Sequence, residues 1–260
     1  MSAELSWQPF AARYARLKAP LAPTDADVAR LCKAIAGCEG EVLLLGATPA
    51  LAGLGQRLLA VDHSADVLRR LWPGDTPTRK AVQADWRALP FGSDRFDAVV
   101  GDGAISSFDA PPDALLAELR RVLRPGGVVA LRCFCAPEEV ESTAALCATP
   151  DADGGGIDAL KWRIAMQLAA ADPDHAVAAR AILERFDILF PDRRALLART
   201  GWNAADLVSV DGYAGTRHRL RFLPRPVLLE HCARHFGSVQ ALASEGYPLA
   251  GRCPVLVLRA

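Results

Sequence analysis

The sequence of 260 residues has no surplus of either charge: thirty Lys and Arg stand against thirty Asp and Glu, a formal net charge of zero. A chain that works through phosphate contacts carries a basic excess or a basic stripe. One basic cluster, Arg217, His218, Arg219, Arg221 and Arg225, is balanced by acids elsewhere, so nucleic acid is an unfavoured partner. No apolar run approaches the ~18 residues that a membrane-spanning helix needs. The N-terminal residues are polar with two aromatics and hold no apolar signal core. These absences read as a cytoplasmic chain without a membrane partner. The seven cysteines form an odd set, which suits no closed disulfide framework. Only Cys133-Phe-Cys135 is tight, and its spacing lies outside the usual zinc knuckle. No metal site is expected, and the thiols read as reduced residues of a core or a pocket wall.

What the sequence does hold is apolar residues, 51 % of the chain, enough for a sizeable core in one α/β domain or a domain with an inserted cap. An apolar run from Val42 to Leu45 breaks at Gly46, and the small turn Ala47-Thr48-Pro49-Ala50 follows. A second run over 58–61 then ends in Asp62. Strand, tight turn, crossover, strand and acid form the opening of a nucleotide-binding α/β domain. The terminal carboxylate can accept hydrogen bonds from two ribose hydroxyls and favours a cofactor that carries positive charge. Thr48 and Pro49 read as an N-cap and a first helical position. Ser64 reads as the cap of a helix over 65–72.

Three more strands follow: 81–85, ending in Asp85 just before Trp86; 96–102, ending in Gly101-Asp102-Gly103; and 128–133. A helix opened by Pro111 or Pro112 separates the last two. Strands and helices alternate at short spacing, so parallel pairing with right-handed crossovers is expected. Beyond Pro137 the rhythm changes, and helices over 157–168, 176–190 and 191–200 read as an insertion over the sheet's carboxyl edge. A helix over 226–236 precedes a hairpin of 239–243 and 254–258. At the other end, Trp7, Phe10, Tyr14 and Leu17 share one helical face, to be docked on the domain or to form a lid. Thr24 caps a second helix there. The expected layout is a single domain over 1–260, with N-terminal helices and lid (1–38), cofactor-binding core (39–136), helical insertion and substrate cap (137–235) and C-terminal hairpin (236–260).

Three stretches taken in order carry a resemblance: Gln83-Ala-Asp85 with Leu89-Pro-Phe91, Phe96-Asp-Ala-Val-Val100, and Leu119-Arg-Arg-Val-Leu-Arg-Pro-Gly-Gly-Val-Val-Ala-Leu131. Over about residues 40–135 and the terminal hairpin, the chain resembles the class I S-adenosylmethionine-dependent methyltransferases of small-molecule type. The resemblance implies a Rossmann-like, doubly wound α/β fold with a seven-stranded sheet and an antiparallel last strand. It implies S-adenosylmethionine as cofactor and a small-molecule substrate. By position, Asp62 with neighbouring His63 would bind the ribose, Asp85 the adenine amino group, and Trp86 would add a backbone contact or pack on the ring. Gly46, Ala47, Thr48 and Pro49 would form the turn at the amino-acid end, with Gly101 and Asp102 near the methionine and its methyl group.

The family's turn runs acid-x-Gly-x-Gly-x-Gly. Here the acid falls on Leu44, only Gly46 remains, and Thr48 and Ala50 occupy the later glycine positions, so the amino-acid end must be recognised differently. The order Asn or Asp, Pro, Pro, aromatic is absent after the fourth strand, which argues against methylation of exocyclic or amide nitrogens. Trp7, Tyr14, Trp162, Met166 and Tyr213 are expected to line an acceptor pocket, with Arg163 or Arg217 meeting an acidic group. No catalytic residue is assigned among the candidate bases Asp102, His63 and His218; catalysis is expected from proximity and in-line orientation. Two other readings share these features: a catalytically idle donor-binding protein working through a protein partner, and a nicotinamide-dependent oxidoreductase, which would carry a fuller Gly-x-Gly-x-x-Gly.

Overall fold

A computed structural model, described for Tyr14 and residues 17–260, is built on a seven-stranded sheet. Its parallel strands are β1 (Glu41–Leu45), β2 (Arg57–Asp62), β3 (Arg79–Gln83), β4 (Phe96–Asp102) and β5 (Leu123–Arg132). Two short strands, β6 (Ala176–Ala178) and β7 (Arg219–Arg221), form a separate ribbon. β8 (Ser238–Leu242) and β9 (Val255–Arg259) complete the main sheet, with β9 antiparallel to both β5 and β8. The order β3-β2-β1-β4-β5-β9-β8 is the doubly wound, Rossmann-like arrangement with an antiparallel last strand.

The continuous apolar runs are explained by burial on both faces. Side chains alternate along a strand. Leu43 and Leu45 therefore enter one core, with Leu115, Leu116 and Leu119 of the helix Pro112–Val122. Val42 and Leu44 enter the opposite core, with Leu31 of the helix Asp25–Ala34. In chain order the helices are α1 (Asp25–Ala34), α2 (Ala65–Leu71), α3 (Ala104–Ser107), α4 (Pro112–Val122), α5 (Thr143–Ala148), α6 (Gly156–Ala169), α7 (Ala179–Leu189), α8 (Arg193–Thr200), α9 (Val208–Asp211) and α10 (Arg225–His235). Local chemistry starts several of them. Thr24 and Asp27 form a reciprocal capping box on α1, and the Ser64 hydroxyl accepts from Val67 N–H on α2.

Between β5 and β8 the chain builds a second layer with its own core. Its centre is α6, buried on nearly every face, where Leu160, Ile164 and Met166 pack with Ile182 and Phe186 of α7 and with Phe222. The helix expected over 176–190 begins only at Ala179. Asp172 Oδ1 accepts the N–H groups of Asp174 and Ala176, His175 turns the chain at φ +51°, and residues Ala176–Ala178 pair with β7 instead. Among the described residues no helix is long and apolar enough to cross a membrane.

Candidate active site

The strand order reverses between β1 and β4, and a crevice at such a switch point is where open α/β sheets bind ligands. Gly46, the first residue past β1, adopts φ +88°, a conformation costly for other residues. A Cβ there would lie 3.8 Å from Asp62 Oδ2 and 3.9 Å from the Trp86 ring. The Asp62 side chain is 11 % exposed; Oδ1 accepts from Ser64 N–H at 2.8 Å, and His63 Nδ1 lies 3.7 Å away. Among the described residues Asp62 Oδ2 has no hydrogen-bond partner. Burial raises the Asp62 carboxyl above its usual range, against the pull of the Ser64 N–H and His63.

Trp86 Nε1 donates to Val61 O at 2.8 Å and fixes the indole at the end of β2. Asp85 lies two residues beyond β3. Both its oxygens are taken by Arg87 Nε, at 3.0 and 2.9 Å, and that guanidinium holds the carboxyl below its ordinary range. An adenine amino group would have to share this pair. The Thr48 cap is corrected by the structure. Thr48 and Pro49 do stand at the N-cap and the opening of a turn, but Pro49–Leu51 is a single 3-10 turn and the Thr48 side chain makes no capping bond; it lies near Tyr14 instead. Ala47 is buried beside Val67.

At the ends of β4 and β5 stands a charged network that the sequence reading passed over. Arg132 is fully buried, and its Nε donates to Asp102 Oδ1 at 2.6 Å. Nη2 donates to Pro20 O at 2.9 Å, and Nη1 reaches the Tyr247 hydroxyl at 3.3 Å and lies 3.9 Å from Asp27 Oδ2. The guanidinium also stacks 5.1 Å from the Phe134 ring centroid. One signal could have found it: Arg132 and Asp102 each end an apolar run, and parallel pairing sets them side by side.

From the inserted layer, Trp162 of α6 meets the Phe134 and Phe222 rings edge-on, each at 5.4 Å. Phe134 in turn packs against Gly103, where a Cβ would fall 2.7 Å from its ring. His218, half-buried just before β7, is near enough to His63 for their charges to interact. Burial pushes His218 down to about 4. Tyr213 lies under the Lys161 ammonium at 5.5 Å, and Lys161 pairs with Asp158 at 2.9 Å. Met166 receives Arg252 Nη1 at its sulfur.

Arg163 requires a correction, since all three of its guanidinium nitrogens are committed within the inserted layer. Glu141 takes Nε at 2.8 Å and also pairs with Nη2, while Nη1 donates to Thr149 O at 2.6 Å. It is a buried strut and has no donor left for an acceptor's acidic group. Arg217 is exposed beside His218, Gly101 is a buried β4 residue, and Trp7 lies outside the described residues.

Residues 42–131 match the family described as methyltransferase domain. The Coxiella burnetii ubiquinone/menaquinone biosynthesis C-methyltransferase UbiE is 25 % identical over 221 residues, covering 82 % of this chain and 79 % of its own. A demethylmenaquinone methyltransferase of Clavibacter sepedonicus is 37 % identical over 114 residues, 40 % of this chain and 46 % of its own. The chain carries a class I S-adenosylmethionine-dependent methyltransferase domain. Solved structures agree on the methyltransferase's fold. The Burkholderia thailandensis 1,6-didemethyltoxoflavin-N1-methyltransferase aligns with TM-score 0.50 at 16 % identity, over 98 % of this chain and 86 % of its own. A Rhodobacter sphaeroides protein described as a zinc-dependent alcohol dehydrogenase aligns with TM-score 0.63 at 15 % identity, over 100 % and 99 %; at that identity the likeness is one of fold. The crevice suits the methyltransferase's donor, because the Asp62 carboxylate, with only Oδ1 hydrogen-bonded among the described residues, stands beside Gly46, which has no side chain to block the approach.

Proposed function

We propose that this methyltransferase acts on a small, partly apolar acceptor enclosed between the carboxyl edge of the sheet and the inserted layer. The observation that carries the reading is the cover: Trp162 of the inserted layer packs edge-on against Phe134, which lies over Gly103 at the end of β4, and the Asp102 side chain beneath is 6 % exposed. A macromolecular acceptor needs an open approach to the methyl group, whereas a small one gains from a site that excludes water.

In this reading Asp62 takes the ribose hydroxyls, with His63 beside it. Trp86 and Asp85 border the adenine, and Gly46, Ala47, Thr48 and Pro49 border the amino-acid end with Tyr14. Gly101 and Asp102 stand where the methyl group is delivered. The bound donor supplies a methyl group already activated by its sulfonium, so the protein's part is to align and to keep dry. The packed Phe134, Trp162 and Phe222 rings give the cover over the strand ends an apolar, aromatic character that suits a partly apolar acceptor. The name of the UbiE relative, a C-methyltransferase of quinone biosynthesis, supports an aromatic acceptor.

Incubating the protein with methyl-labelled donor and a fractionated cell extract tests the proposal. Label is expected in the low-molecular-weight fraction and absent with Asp62→Ala. Label confined to protein or RNA would contradict it.

A further inference from the structure

Arg163, one of the two cations expected to meet an acidic group of the acceptor, is committed to Glu141 and the Thr149 carbonyl. About one turn farther along α6, a second guanidinium arrives from the loop before β9. Arg252 Nη1 reaches Met166 Sδ at 3.6 Å, and among the described residues this is the side chain's only hydrogen bond. A thioether sulfur is a weak acceptor. Glu141 is near enough to act on Arg252, but Arg163 engages both of its carboxylate oxygens. Two guanidinium groups thus share one carboxylate, and a positive charge is left over. Burial lowers the Arg252 guanidinium from its ordinary range, against the pull of Glu141 and with the push of Arg163.

Arg252 also lines a cavity of about 590 Å³, with Tyr247 and Pro248 of the same loop and Asp153 from the turn before α6. That size suits a small molecule. Gly155 lets the loop close on α6, since a Cβ there would fall 2.9 Å from Pro248 Cβ. Asp153 is exposed, so water and salt screen it, whereas Arg252 is half-buried and keeps its field. Tyr247 links the cavity to the strand ends. Its hydroxyl accepts from Arg132 Nη1 at 3.3 Å, and Arg132 Nε holds Asp102 at 2.6 Å. One tyrosine therefore stands between the cavity and the charged network at the end of β4.

We propose that the methyl acceptor is a carboxylic acid and that Arg252, at the cavity beside Tyr247, receives its carboxylate. The assignment rests on the small-acceptor reading above. Nε and Nη2 of Arg252 have no partner among the described residues, and a carboxylate engages such a pair of donors side-on. The single surplus positive charge matches the single negative charge of a carboxylate; a phosphate dianion would exceed it.

Methyl-labelled S-adenosylmethionine and a fractionated cell extract test the assignment when the labelled small molecules are passed over an anion exchanger at pH 7. The labelled product should be retained. Converting the extract's carboxylates to amides beforehand, with the reagent removed, should abolish labelling. Arg252→Gln should slow labelling at limiting extract about tenfold or more, the loss of a charge-assisted hydrogen bond, with the calorimetric affinity for S-adenosylhomocysteine unchanged. Arg252→Lys should lose less. An uncharged product, or labelling that survives amidation as a phosphate ester would, overturns the proposal. So does a Gln variant that labels as fast as the unaltered protein, or one that loses S-adenosylhomocysteine to the same degree. Should that variant fail to fold, the charge of the product and its sensitivity to amidation decide on the unaltered protein. Absence of any low-molecular-weight label would instead overturn the small-acceptor reading, and this assignment with it.

Discussion

Burial at His218 gives the protein a pH dependence that one residue carries. The imidazole, facing His63, is pushed down to about 4 from an ordinary 6.5, so the unfolded chain takes up a proton first as pH falls. Stability is therefore fully present above the ordinary value and is lost progressively between about 6.5 and 4. The loss amounts to about 3 kcal/mol at most. Urea denaturation at pH 7 and pH 5 should show His218→Gln losing less stability over that interval than the unaltered chain; parallel losses would remove His218 as the cause. The contribution of His218 was not legible in the sequence, where it stands in a basic cluster that reads as solvated. Arg132 was hidden in the same way, because an arginine at the end of a strand looks like an exposed terminus. Asp62 was legible because an acid closing a short apolar run has few other uses.

Elements built by local chemistry were the ones the sequence disclosed. β1, β4 and β9 are apolar runs bounded by turns, and α1 and α2 carry their capping residues. β6 was read as the start of a helix because Ala-Val-Ala has no turn signal of its own and becomes a strand only by meeting β7, about forty residues on. The junction between β4 and α3 makes an element-scale test. Gly103 adopts φ +65°, and a Cβ would stand 2.7 Å from the Phe134 ring that carries Trp162. Gly103→Ala combines backbone strain with overpacking, for an expected loss of about 1–3 kcal/mol in urea denaturation. An unchanged midpoint would show that Phe134 yields without cost.

At the scale of the whole molecule, one sheet serves two cores and a cover. The parallel half brings Gly46, Asp62, Asp102 and Arg132 to a common edge, and the segment between β5 and β8 folds over that edge with a core of its own. The existence of this layer was readable from the change of rhythm after Pro137. Its contacts were not, because Arg163, Lys161 and Trp162 find partners far away in sequence. The account depends above all on the donor being held at the Asp62 corner. Titration of S-adenosylhomocysteine into the protein and its Asp62→Ala variant tests that most directly. The unaltered chain should bind one equivalent, and the variant, its fold intact by circular dichroism, should bind about a hundredfold more weakly, as the loss of two hydrogen bonds to a charged group implies. Equal affinity in the two proteins would contradict the account.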